Sequence, residues 1–271
     1  LPLVFSLHHY LSFSLGYAVG LGWIFVPARM LARGGPLVIL LAILLSGALL
    51  WSIAQCYKLL IATNPAAGGE IAFARRFVGA PTAFAVFWLL LLGYLSYLLF
   101  YTSFAGVIFE SLTPELGSAN IVSVGTYQLR WSAALSGLLL GGIVITANCF
   151  GTRAAINLQS CCLLLAIVLV AIVAVTAFAS GTLENAKPVL PPNVTWIEVP
   201  GLLIVVTGMI CWYLFGFSTV ALCAAESSED GGTSIPALAV GLSLLLTVVF
   251  YLIVHAFIIV ALPCPGSRRR R

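Results

Sequence analysis

Charge is what this sequence has least of. Only 7% of its 271 residues are Asp, Glu, Lys or Arg, against 62% hydrophobic. A soluble domain carries about a quarter charged residues, so a surface mostly facing water is excluded. The seven cysteines (Cys56, Cys149, Cys161, Cys162, Cys211, Cys223 and Cys264) form no C-x-x-C pair or other metal-ligand spacing. That removes the usual zinc and dithiol signatures; in apolar runs cysteine behaves as a small hydrophobe. A nucleotide-binding glycine fingerprint is missing, and so is any low-complexity tract. Paired intramembrane His, Asp or Glu residues, which an embedded enzyme would use, are also lacking. We therefore expect no enzyme: no catalytic residue, no metal site, no organic cofactor and no nucleic-acid partner. The first apolar run lacks a basic start and a small-residue cleavage site and is too long for a cleavable signal peptide. The chain opens on Leu1 rather than Met, which leaves an upstream segment open.

What the sequence has instead is long apolar runs. About 20 apolar residues in a helix match the hydrocarbon thickness of a bilayer. The runs are continuous rather than alternating, which disfavours a β-barrel. The pattern predicts an all-α integral membrane protein, multi-pass, with about seven transmembrane helices in a single transmembrane domain over residues 1–271. The spans fall at roughly 3–31, 36–62, 81–109, 131–150, 154–180, 200–225 and 235–262. Residues 182–199 read as an extramembrane loop, where P-V-L-P-P-N stops a helix. Residues 263–271 read as a basic tail ending in R-R-R-R. Segments 64–80 and 110–130 read as loops, and Glu226–Ser234 is the most polar run in the chain. Asn193-Val194-Thr195 has the form of an N-glycosylation site, informative only if that loop faces a secretory lumen.

Two spans carry weak points. G-L-G-W-I-F-V-P, Gly20 to Pro27, lies inside the first, and C-W-Y-L-F-G-F-S-T, Cys211 to Thr219, inside the sixth. A membrane helix can be interrupted only where its freed N–H and C=O groups meet protein, water or a ligand. Glycine lets backbone approach a ligand closely, and the N-terminal end of a half-helix attracts a carboxylate. Glycine also serves membrane helices as a plain packing surface, and a lone G-x-G fits either use. Two weak points, each in the first member of a five-span set, form the pattern of an inverted-repeat transporter.

Four blocks carry a resemblance to a known family. They are G-L-G-W-I-F-V-P with G-G-P at Gly34–Pro36; N-P-A-A-G-G-E-I-A-F-A-R-R-F-V-G at Asn64–Gly79; N-C-F-G-T-R-A-A-I-N-L-Q at Asn148–Gln159; and F-G-F-S-T-V-A-L-C-A-A-E at Phe215–Glu226. In order and spacing, across nearly the whole chain, the sequence resembles the amino acid/polyamine/organocation superfamily of permeases. The resemblance implies the first part of a five-plus-five inverted-repeat transporter with spans one and six interrupted. It implies secondary transport or exchange of amino acids or related amines by alternating access, in a lipid bilayer, with the plasma membrane as the expected location. Backbone of Gly20, Leu21 and Gly22, beside Trp23, would receive the substrate's carboxylate. Backbone around Phe215, Gly216, Phe217 and Ser218 would face its ammonium group. Trp212 would line or gate the pocket, or else pack or face lipid. The aromatic face of the third span, near Tyr94 and Tyr97, joins the candidates.

The departures concern coupling. Ser218 stands where the family often has Glu, Lys58 lies where it often has an acidic residue, and Ala166 aligns with a Lys that some members carry. Coupling to H+ or Na+ is therefore left unassigned. Glu226 matches the family's acidic position at the end of span six, where pairing with a loop arginine would belong to one gating state. His255, in span seven, reads either as a proton relay, since imidazole titrates near neutrality, or as a neutral hydrogen-bonded group facing another helix. Lys58 reads either as a functional charge or as a side chain that snorkels to the interface.

The family orientation puts the N-terminus in the cytoplasm, with loops 2–3, 4–5 and 6–7 inside. Counting Lys and Arg alone would turn the molecule over, chiefly through Arg268–Arg271. A five-plus-five scaffold needs about ten spans, so the expectation is a chain truncated after about seven. Alternative readings are a seven-span receptor and a truncated, non-transporting partner of a full-length permease. Substrate identity and oligomeric state stay open.

Overall fold

The computed structural model describes residues 5–20, 22–113, 121–124, 127–192, 194–226 and 232–262. In chain order the helices are α1 (Leu7–Ala18), α2 (Gly22–Thr63), α3 (Glu70–Phe77), α4 (Ala80–Leu112), α5 (Trp131–Cys149), α6 (Thr152–Ser180), α7 (Val199–Leu214), α8 (Thr219–Leu222) and α9 (Ser234–Ala261). Short 3-10 turns lie at Leu183–Ala186, Phe215–Ser218 and Ala224–Glu226. Among the described residues, five stretches are long and apolar enough to cross a membrane: Pro27–Thr63, Ala80–Phe109, Arg153–Ser180, Val199–Leu222 and Ser234–Ala261. Ala134–Cys149 is a shorter apolar helix. The chain is an α-helical, multi-pass membrane protein.

Two expected loops contain structure. Segment 64–80 holds α3, where Glu70 opens the helix and Arg75 and Arg76 close it. Those charges complement the helix dipole at both ends. Segment 110–130 holds a two-stranded antiparallel hairpin, β1 (Ile121–Val124) and β2 (Tyr127–Arg130), with Ile121 opposite Arg130. Its apolar alternation was hidden between two stronger helical signals.

The contacts divide the chain into two compact units, residues 1–69 with 159–271, and residues 70–158. In the second, α4 packs on α3 and α5. Gly137 of α5 lies against the backbone of Thr102, where a Cβ would stand 2.7 Å from the carbonyl oxygen. Polar side chains here bond to their own helix: Thr146 Oγ1 donates to Gly142 O (2.7 Å) and Asn148 Nδ2 to Val144 O (2.8 Å). Such bonds satisfy a polar group within its own helix, where hydrocarbon offers no partner. Leu89, Leu92 and Leu99 of α4 are exposed, which suits lipid and not water.

In the first unit α9 packs on α2 and α1, and α2 also on α7. Small residues set these approaches, as expected where lipid removes the hydrophobic drive between helices. Gly47 of α2 receives Val248 of α9, and Ser46 Oγ donates to Thr207 O of α7 (3.1 Å) with both residues buried. Val170, Ala174 and Ala177 line one face of α6, spaced for one helical stripe, and cluster with Val254 and Phe257 of α9.

Inside α2, Gly35 adopts φ 69°, ψ 176° and Pro36 follows it. Glycine takes this backbone readily, and proline cannot continue the hydrogen-bond ladder. The turn separates the second half of span one from span two. Leu37 N–H finds Val189 O (3.2 Å) in the proline-rich segment instead. That segment is tied again through Thr182 N–H and Asn185 Nδ2, both on Val260 O (3.2 and 2.7 Å). One end of the unit thus gathers residues 35–37, 182–191 and 260. The opposite end gathers Phe5 N–H on Glu226 O (2.8 Å) and Gly68 N–H on Leu222 O (3.4 Å). Asn193 and the basic tail 263–271 lie outside the described residues.

Candidate functional site

Both weak points are real interruptions, and they meet. α1 ends at Ala18; Val19 N–H closes the last turn on Leu15 O (2.7 Å), Gly20 bends, and helix resumes at Gly22. Leu21 lies outside the described residues. The sixth span does not unwind but tightens: α7 passes into the 3-10 turn Phe215–Ser218 and then into α8. Gly216 lies flat on α1, where a Cβ would stand 2.6 Å from Ser14 O and 2.8 Å from Ala18 Cβ. Glycine is required here for that approach.

Three side chains take up backbone groups that the interruptions free. Thr219 Oγ1 donates to Gly216 O (2.8 Å) within the sixth span. Tyr10 O–H, from α1, donates to Cys223 O (3.1 Å) just beyond α8. Tyr251 O–H, from α9, donates to Ala18 O (2.8 Å) in the last turn of α1. Carbonyls of a last helical turn have no intrahelical partner, so span seven caps the first half of span one.

Beside this cap lies a cavity of about 10 Å³, lined by Gly22, Pro27, Met30, Ile210, Tyr213, Tyr251 and His255. That is close to the least volume that holds one water molecule. Gly22 is small so that the Tyr213 ring can lie against it; a Cβ there would meet Tyr213 Cε1 at 2.8 Å. The rings of Tyr213 and Tyr251 stand 5.7 Å apart at 47°. His255 is only 4% exposed, and its Nδ1–H donates to Tyr251 O (2.8 Å) one turn back on its own helix. A carbonyl can only accept, which puts a proton on Nδ1. In the neutral ring Nε2 is then a lone pair, buried and without a partner among the described residues.

The structure sorts the expected residues. Gly22 and His255 line the cavity; Gly216, Phe217 and Ser218 are buried beside α1 and α2. Phe217 stacks edge-on against Tyr57 (5.7 Å), as Phe215 does at 6.5 Å. Trp23 packs against the Val170–Phe257 cluster. Trp212, expected to line a pocket or face lipid, is 45% exposed and is not among the cavity residues. Its neighbour Tyr213 takes the inner position. Helical phase explains the exchange: Val206 and Ile210 are buried, and Tyr213 continues their stripe at i+7 and i+3. Tyr94 and Tyr97 belong to the other unit, on α4. Glu226 is exposed at the end opposite the proline-rich segment, its carbonyl bonded to Phe5 N–H. Lys58 lies between helices, with Nζ 5.3 Å from the centre of the Trp51 ring and against Gly241. Tyr213 and Tyr251 are the functional candidates that the sequence reading missed. Tyr251 precedes His255 by four residues, the spacing that puts both on one helix face.

These features define a multi-pass helical membrane protein whose first and sixth spans are interrupted where they touch. The model of the amino acid permease family matches residues 5–267, and the chain belongs to that family. It is a family of membrane transporters for amino acids rather than a class of enzymes. A comparison with curated proteins finds no match.

Proposed function

We propose that the protein moves amino acids or related amines by alternating access, as a secondary transporter or exchanger of the plasma membrane. The substrate sits between the first-span interruption and spans six and seven. The observation that carries this reading is the contact of the two interruptions at Gly216, beside a cavity that reaches Gly22. The N–H groups that open α2 at Gly22 and beyond lack intrahelical partners and suit a carboxylate. A cavity of about 10 Å³ does not hold an amino acid, so in this reading binding requires spans one and six to part. The end that gathers Phe5, Gly68 and Glu226 is the cytoplasmic one in this reading.

The test is uptake and binding by the full chain reconstituted in liposomes, with a panel of radiolabelled amino acids and amines. Saturable binding and counterflow of at least one amino acid support the proposal. Absence of both for every member of the panel, in folded protein, overturns it. A receptor or a non-transporting partner would bind without counterflow.

A further inference from the structure

Lys58 puts a cation inside a stretch that crosses the membrane, Pro27–Thr63. It stands one to two turns before the end of α2 at Thr63, about 7 Å along the axis. A lysine there ordinarily snorkels outward to the interface. Helical side chains lean toward the helix N-terminus, which for Lys58 is the interior of the span. Its Nζ follows that direction and lies 5.3 Å from the centre of the Trp51 ring, two turns deeper. Gly241 of α9 makes the room: a Cβ there would stand 2.7 Å from Nζ and 3.7 Å from Trp51 Cη2. Among the described residues no carboxylate pairs with Lys58. An aromatic face offsets part of what a cation loses on leaving water. An ammonium group nonetheless has three donors to satisfy, and hydrocarbon offers no acceptor.

The surroundings define what would satisfy it. Trp51, Gln55 and Lys58 follow at i, i+4 and i+7 and form one stripe of α2; Trp51 and Gln55 are exposed and Lys58 is half-buried. On α9, Leu238 and Leu245 flank Gly241 at i−3 and i+4 and are exposed. The two helices run antiparallel, since Lys58 meets Gly241 and Val248 meets Gly47. Leu238 therefore lies toward the Thr63 end and Leu245 toward the middle of the bilayer. The result is a notch open to lipid, cationic near the interface and apolar below it. We propose that this notch, Lys58, Trp51 and Gln55 against Gly241, binds one acidic phospholipid of the leaflet at the Thr63 end. The lipid phosphate takes the Lys58 ammonium and the Gln55 carboxamide, and an acyl chain runs past Leu245. Local thinning around an intramembrane cation brings head groups to this depth, and a bond between two charged groups is stronger than one between neutral groups. The site stands apart from the transport reading, because it lies on the lipid-facing side of spans two and seven.

The experiment titrates the full chain in detergent with dioleoyl phosphatidylglycerol, dioleoyl phosphatidylcholine or oleate, and reads bound lipid by native mass spectrometry. The expected result is one phosphatidylglycerol held about tenfold more tightly than phosphatidylcholine. Lys58→Gln should lose that preference, and Lys58→Arg should keep it. Gly241→Leu, which fills the notch, should lose it with Lys58 in place. Equal retention of the two phospholipids by the unmodified protein overturns the proposal, and so does an undiminished preference in Lys58→Gln. Oleate held more tightly than phosphatidylglycerol overturns the phospholipid as the occupant. Should Lys58→Gln fail to fold, Trp51 fluorescence in the unmodified protein decides, with Trp51→Phe as the blank. Phosphatidylglycerol brominated in its acyl chains should quench it more than brominated phosphatidylcholine does; equal quenching overturns the site.

Discussion

Replacing Gly216 by Ala adds one carbon at the point where the two interruptions touch. That carbon would lie 2.6 Å from Ser14 O, 2.8 Å from Ala18 Cβ and 3.1 Å from Ala18 N. Two of these atoms are backbone, so no side-chain rotation relieves the clash; α1 must move as a body. Overpacking of this kind costs about 1–3 kcal/mol. Moving α1 also stretches Tyr251 O–H to Ala18 O and Tyr10 O–H to Cys223 O, each worth about 0.5–1.5 kcal/mol. We expect a net loss of about 2–3 kcal/mol, or roughly 30- to 150-fold in the folded-to-unfolded ratio. The control is Gly208→Ala on α7, where an added Cβ meets nothing within 4 Å. In a helix that change should stabilise by about 0.5–1 kcal/mol. Reversible unfolding in mixed detergent–lipid micelles measures both. If Gly216→Ala proves as stable as Gly208→Ala, the close contact between the interruptions is wrong.

Tyr251→Phe keeps the ring but strips the donor from Ala18 O, leaving a carbonyl of a 5%-exposed residue unpaired. The expected loss is about 1–3 kcal/mol in the same micelle assay; a value near zero would remove the cap from the argument. Glu198 gives a pH dependence. Thr195 N–H and Oγ1–H both donate to its Oε2 (2.8 Å each), which holds the carboxyl below its ordinary value of 4.5. A carboxyl depressed on folding contributes above its unfolded pKa and loses that contribution as pH falls through the folded one. Amide exchange of the loop around Thr195 should therefore quicken only below about pH 4.5. In Glu198→Gln that acid limb should vanish, and an identical profile in both proteins would contradict the assignment.

Much of this architecture was legible because apolar length and glycine position are local signals. The spans at 81–109, 154–180, 200–225 and 235–262 correspond to α4, α6, α7 with α8, and α9 within a few residues. The interruptions at Gly20–Gly22 and Gly216 were legible because glycine next to aromatics in hydrocarbon has few explanations. What the sequence concealed is which neighbour each freed group finds. That the sixth span tightens into a 3-10 turn depends on α1 lying against Gly216, some 200 residues away in sequence. Trp212 and Tyr213 are adjacent and both aromatic, so only their phase relative to Val206 and Ile210 tells them apart. The α3 helix was read as loop because its mean apolarity is low, although Glu70, Arg75 and Arg76 already mark its two ends.

The same partners that make the interruptions tolerable also make them hard to use. In the structure described, Gly216 O, Ala18 O and Cys223 O are each bonded to a side chain of the protein itself. A substrate cannot take such a carbonyl without displacing a hydroxyl, and the exchange of one hydrogen bond for another yields little net free energy. A ligand shifts a conformational equilibrium only by the difference in its affinity for the two states. On the proposed transport reading, that difference has to come from contacts that a substrate makes only once spans one and six have parted.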